Sequence, residues 1–210
     1  MRKILLSVKR PKWAKKKKLN KTICVVGTTS KAGVTHLCLS LANFLRSVIR
    51  QEVIYIELKE ESSLLPLVGT KQIKVGETIG YKYKGVTYVF TNDVEKVEAL
   101  MSTEDSTVIV DMNRLNKKNK KIFTNSDSKV VIGSLSPWCE QEYYEFVDYT
   151  LLKNKIHIDQ VTFCGNNIIR NEAVENFKKL YGSNLLNMPI IEDPFSLKEE
   201  NFEELLKVLM

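Results

Sequence analysis

One stretch constrains this chain more than any other: Ile23-Cys-Val-Val-Gly-Thr-Thr-Ser-Lys-Ala-Gly-Val-Thr-His-Leu37, an apolar run that passes through small residues and restarts as a helix. The apolar part reads as a strand over 22–26. Beyond the loop, Leu37, Leu41, Phe44, Leu45 and Val48 fall on one face at helical spacing, which predicts a helix over 35–49 packed on a sheet. A strand that feeds such a helix directly is the opening of an α/β unit.

The rest of the chain continues the alternation. Strands are expected over 53–56 (ending at Glu57), 107–110 (ending at Asp111), 129–132 and 159–164. Helices are expected over 93–101, 138–152, 171–181 and 196–209. Residues 72–90 break the pattern: three short strands separated by Gly76 and Gly85 predict a small hairpin insertion that leads back into the main sheet. The predicted fold class is therefore α/β, a mainly parallel twisted sheet covered by helices.

With 210 residues and 43% apolar content, one domain with a full core is expected, and no apolar run nears the ~20 residues of a membrane span. The N-terminus lacks the h-region and cleavage site of a secretory signal, which predicts a cytoplasmic protein. Cys24, Cys38, Cys139 and Cys164 are widely spaced among apolar neighbours and read as reduced core residues. The formal charge of +7 is unevenly held. Residues 1–21 carry ten basic residues and no acid, leaving 22 basic against 25 acidic in the remainder. The predicted organisation is thus a basic arm, Met1 to Lys21, on a mildly acidic body over 22–210.

The loop itself has the frame of a P-loop, G-x-x-x-x-G-K-[ST], whose amides cradle phosphates, whose lysine neutralises them and whose hydroxyl holds Mg²⁺. Gly33 and Thr35 occupy the second Gly and the Ser/Thr positions; Thr28 stands at the first Gly and Val34 at the lysine. Strand, loop and helix resemble the ParA/MinD family, whose loop reads K-G-G-V-G-K-T-T, and align with it without a gap from Val25 to Ala42. In that register Thr29 replaces the family's signature lysine. Matching Lys31 to it instead needs a two-residue deletion that turns the helix by roughly 200° at ~3.6 residues per turn, so the gapless register is preferred.

Several residues gain an expected role from the resemblance. Asp111 corresponds to the Walker B aspartate that holds Mg²⁺ through water, and Glu57 to the aspartate of the D-x-D-P motif linked to water activation. Asn166, ending Val161-Thr-Phe-Cys-Gly-Asn166, matches an adenine-contacting asparagine, and Met188-Pro-Ile-Ile-Glu-Asp-Pro194 is similar to the I-P-x-D segment. The implied nucleotide site is Ser30, Lys31, Gly33, Val34, Thr35, His36 and Asn166, with Thr35 and Asp111 on the metal, for ATP or ADP with Mg²⁺; the alternative is a loop that holds no cofactor. His36 and His157 are too far apart in sequence to suggest a metal or base constellation of their own.

The departures matter as much. A charge-assisted hydrogen bond is worth about 1.5–3 kcal/mol, so loss of the P-loop lysine implies ~10–150-fold weaker phosphate binding. Loss of the cross-subunit lysine removes a contact whose kind is worth ~10³–10⁵ in rate. A small residue at the lysine position is also similar to the TadZ/CpaE branch, which marks the cell pole for pilus assembly. The implied behaviour is a non-hydrolysing or slow positioning or scaffold protein, dimeric and docked to a membrane-linked or secretion/pilus-type machine. The alternative is an active partition ATPase in which Lys31 does the lysine's work.

The arm is open to three readings: an anionic membrane surface or protein scaffold, to which each Lys/Arg near the lipid adds ~1 kcal/mol and Trp13 an interfacial anchor; DNA phosphates; or a solubilising tail. The first would make the protein peripheral at the membrane. The cluster Arg114-Leu-Asn-Lys-Lys-Asn-Lys-Lys121 reads as a solvated face with partner binding as the second reading. The aromatic-rich segment 138–152 reads as packing.

Overall fold

The computed structural model describes residues 22–210 except 60, 104 and 167–169; the basic arm lies outside the described residues. Nine strands form a single sheet: β1 (Thr22–Gly27), β2 (Val53–Leu58), β3 (Gln72–Val75), β4 (Thr78–Tyr83), β5 (Val86–Thr91), β6 (Thr107–Asp111), β7 (Ser128–Ser134), β8 (Val161–Asn166) and β9 (Leu185–Asn187), in the order β3-β4-β5-β2-β6-β1-β7-β8-β9. From β5 to β9 all neighbours are parallel, while β3, β4 and β5 pair antiparallel, so the expected hairpin extends one edge of the main sheet.

Period-2 alternation divides the apolar side chains between two faces. Ile23 and Val25 of β1, Tyr55 of β2 and Ile109 of β6 join a core with α1 (Val34–Phe44) and α7 (Phe202–Val208). Cys24, Val26, Ile54, Ile56, Val108 and Val110 join the opposite core, under α3 (Val94–Met101), α4 (Lys120–Asn125), α5 (Glu140–Glu145) and α6 (Asn171–Tyr181). Central strands covered on both faces are apolar along their middles, and their buried polar residues, Thr22, Glu57, Thr107, Asp111, Ser128 and Lys129, fall at or near the strand ends.

The expected elements were found with corrections at their ends. The first helix is α-helical to Phe44 and continues as a π-helical turn over Leu45–Ile49, closed by Arg50 at φ 64°. Residues 158–160 form a 3₁₀ turn, so the strand expected from 159 begins at Val161. The last helix begins at Phe202 after a 3₁₀ turn over Glu199–Asn201, not at 196. Asp193 instead heads a turn, accepting the amides of Phe195 and Ser196, and Lys198 is extended. The 138–152 segment divides into α5, a π-helical turn over Phe146–Leu151 and a 3₁₀ turn. Its Tyr143 and Phe146 pack as expected, but Trp138 and Tyr149 are 83% and 66% exposed. The short helix α2 (Leu65–Val68), α4 and β9 carry too few residues for a readable period. All four cysteines are free. Cys24, Cys38 and Cys164 are buried, and burial pushes the Cys24 and Cys164 thiols up to about 12, whereas Cys139 is half-buried at the start of α5. Among the described residues no helix is long and apolar enough to cross a membrane.

Candidate functional site

The chain leaves β1 toward β2 on one side of the sheet and later builds β7, β8 and β9 on the other. The carboxyl end of β1 is therefore the switch point, where open α/β sheets hold ligands. Three elements meet there. The loop after β1 turns back over Gly27: a Cβ at that position would lie 2.9 Å from Thr29 O, 2.9 Å from Val34 Cγ2 and 3.0 Å from Ala32 Cβ. The loop base is tied down by the Gly27 amide to Asn113 O (2.9 Å) and the Thr28 amide to Ile132 O (3.0 Å).

Gly33 caps α1 at φ 92°, a left-handed conformation that glycine adopts without strain. No side chain caps this end, and the first turn holds no acid, so its amides face the cleft beside them unfilled by the protein's own anions. That cleft, of about 400 Å³, is lined by Ser30, Lys31, Gly33, Thr35, His36, Glu57 and Asp111 among others. Every residue expected at the phosphate and metal end thus comes together. Val34 also borders it but is 5% exposed and belongs to the core under α1. Lys31 is exposed, at φ 65°.

The two acids are neighbours because β2 and β6 are parallel partners in which Glu57 registers with Asp111. Both are 2% exposed. Asp111 Oδ2 accepts hydrogen bonds from Thr35 Oγ1 (2.6 Å) and from the Tyr55 hydroxyl (2.9 Å), and Oδ1 accepts the Asn113 amide (3.2 Å). Burial raises the pKa of Asp111 above its ordinary value, and these three donors oppose the shift. Burial also raises Glu57; the Ser62 hydroxyl, which donates to Oε2, works against this, the Asp111 charge with it, and Lys59, 4.0 Å from Oε1, against it.

Among the described residues no three His, Cys, Asp or Glu side chains converge on a metal. Thr35 and Asp111 fit a different arrangement: one hydroxyl and one carboxylate side by side in a cleft. This is the partial oxygen set on which Mg²⁺ sits when phosphate oxygens and waters complete its shell.

Asn166 ends β8 beside the loop, and its Nδ2 donates to Ala32 O at 2.7 Å. It also lines a second, smaller cleft of about 200 Å³ with Gly33, His36, Leu37 and the 188–191 segment, which continues the first along the same face. Sequence reasoning missed Tyr55, Lys59, Asn113 and Ser62. Tyr55 lies two residues before Glu57 in β2, and Lys59 and Asn113 lie two residues past the acids that end their strands; each carried a positional signal but no pattern of its own.

No family model and no curated protein matches the chain. Solved structures do match. A protein of Borrelia burgdorferi described as a plasmid partition protein, bound to AMPPNP, is 14% identical over 91% of this chain and 98% of its own, with a TM-score of 0.65. A ParA family ATPase from Chlorobium tepidum is 12% identical over 90% of both chains, TM-score 0.64. A MinC:MinD cell division protein complex of Aquifex aeolicus gives 13% identity over 89% of this chain and 94% of the other, TM-score 0.61. The nine-stranded, mostly parallel sheet with its flanking helices is the fold of the ParA/MinD P-loop ATPases.

Proposed function

We propose that this chain is a degenerate ParA/MinD-like protein that binds nucleotide weakly or not at all, does not hydrolyse it efficiently, and works as a positioning, scaffold or assembly factor. The observation that carries the reading is Val34. At the P-loop lysine position it is a core residue against Gly27, with no charge to place on a phosphate. What supports residual nucleotide binding is the uncapped start of α1 beside Thr35 and Asp111. In this reading the open amides hold phosphate, Thr35 and Asp111 hold Mg²⁺, which supplies charge neutralisation when bound, and Glu57 sits nearest a water-activating position. Asn166 and the 188–191 cleft take the adenine end.

The domain is 22–210, with 1–21 as an arm toward an anionic membrane surface or DNA. The protein is cytoplasmic or peripheral at the membrane, paired as a homodimer and bound to a protein of a membrane-linked or secretion/pilus-type machine, in the manner of the TadZ/CpaE branch. The MinC:MinD complex, a protein of this fold with a protein partner, agrees with that expectation. A second reading, an active partition ATPase, is favoured by one feature: Lys31 lines the cleft and is exposed, free to swing toward a phosphate.

Calorimetric titration with ATP, ADP and GTP, with and without Mg²⁺, tests both readings. Weak Mg²⁺-dependent binding lost in Thr35→Ala, without turnover, agrees with the first. Rapid turnover abolished by Asp111→Ala and Lys31→Ala establishes the second and overturns the first, and no binding up to millimolar nucleotide defeats the second and leaves the loop as architecture in the first.

A further inference from the structure

Another concave site adjoins the loop cleft, sharing Leu58, Lys59 and Asn113 with it. It measures about 350 Å³ and is lined by Lys59, Arg114, Lys118, Asn92, Asn113 and Asn116 among others; no carboxylate is among the described residues that line it. Arg114 and Lys118 are exposed and form no ion pair among the described residues, and Lys59 has only Glu57, at 4.0 Å.

These cations stand on a built loop. Asn119, 5% exposed, accepts the Asn116 amide at Oδ1 (2.8 Å) and donates from Nδ2 to Arg114 O (2.9 Å). Asn116 Oδ1 in turn accepts the amides of Lys118 (2.8 Å) and Asn119 (3.1 Å), so what that side chain has left to offer the cleft is its Nδ2 donor. The run that reads as a solvated charge cluster is knotted at its centre by two asparagines, which fixes where Arg114 and Lys118 emerge.

Three cations with amide donors exceed what one carboxylate can neutralise. A phosphate group carries about −1.5 to −2 charge and three strong acceptor oxygens, and the planar guanidinium fork suits it. A nucleic-acid strand needs a longer charged track and stacking faces, and no aromatic side chain lines this cleft. We propose that the cleft is a second anion site, taking the phosphate group of a small phosphorylated ligand with Arg114, Lys118 and Lys59 as its cations. Because Lys59 also lines the loop cleft, an anion bound in one site draws on charge available to the other. The site stands independently of whether the loop binds nucleotide.

Backbone ¹H–¹⁵N spectra of the full chain, titrated with inorganic pyrophosphate at constant ionic strength without Mg²⁺, read the two clefts separately. Amides 33–36 report the loop, and amides 114–119 report the second site. The expected result is a saturating shift at 114–119 that weakens about tenfold or more in Arg114→Gln/Lys118→Gln, as loss of charged contacts requires, while the response at 33–36 stays. Shifts at 33–36 alone overturn the second site and leave the nucleotide reading intact. Shifts at 114–119 that never saturate, or that persist in the double variant, reduce it to charge screening and overturn it too. Saturation at a lower concentration of a hexaglutamate peptide than of pyrophosphate overturns the phosphate assignment.

Discussion

Two helices begin at the same edge of the sheet and end their N-termini differently. At α3, Asp93 accepts the amides of Glu95 and Lys96 and Glu95 adds charge in the first turn; the helix satisfies itself. At α1, Gly33 supplies no side chain and the first turn has no acid. With glycine at the cap, omitting an Asp or Ser there forgoes only about a few tenths of a kcal/mol of helix stability. The difference teaches where backbone donors are left without a side-chain acceptor: the closed end is capped by its own residues, and the open one borders the cleft that holds Thr35, Glu57 and Asp111. The carboxylates follow suit. The Lys96 and Glu95 amides lower Asp93, whereas burial raises Asp111.

Closing the open end should have the largest effect. Gly33→Asp places a carboxylate among the amides of α1, and nucleotide affinity by calorimetry should fall roughly 100-fold or more; an unchanged Kd would show that these amides do not hold phosphate. Sharpening the open end comes next: Val34→Lys should tighten ATP binding ~10–150-fold, the value of one charge-assisted contact, and no gain would mean the cleft is not shaped for phosphate.

Tyr55→Phe should cost about 1.5–3 kcal/mol in urea denaturation, because it takes a donor from a buried carboxylate. The pH response separates the two ends by sign. Asp111 and Glu57 have raised folded pKa values, so their ionisation opposes folding, and stability should fall as pH climbs from the ordinary carboxylate value through the raised one; Asp111→Asn should flatten that slope. Asp93 is lowered, so its contribution is present above the ordinary aspartate pKa and is lost as pH falls through its folded value. Asp93→Ala should give the smallest change, a lowered Tm with nucleotide affinity unmoved. A shift in affinity would mean that the two helix ends are coupled.

Much of this site could be read before the fold was known. Gly33, Thr35 and Asp111 stand out because a loop motif and a strand-ending acid are local patterns, and the helical period of 37–48 placed Val34 at the lysine position without a gap. Lys59 and Asn113 went unread since a single polar residue after a strand has no period. The Asn116–Asn119 knot was hidden for a similar reason: a charge run gives no hint of which of its uncharged members bond one another.

The sequence by itself determined the alternation of strands and helices, the hairpin over 72–90, the apolar identity of the central strands and the small-residue loop, because each rests on spacing along one element. Only the tertiary structure decided that β6 lies between β1 and β2. That order sets Glu57 beside Asp111, brings Thr35 and Tyr55 onto one carboxylate oxygen and draws Lys59 into two clefts. Strand order is a property of long-range packing: every covered apolar strand offers much the same edges, and which pair meets is chosen by how the helices fill both faces.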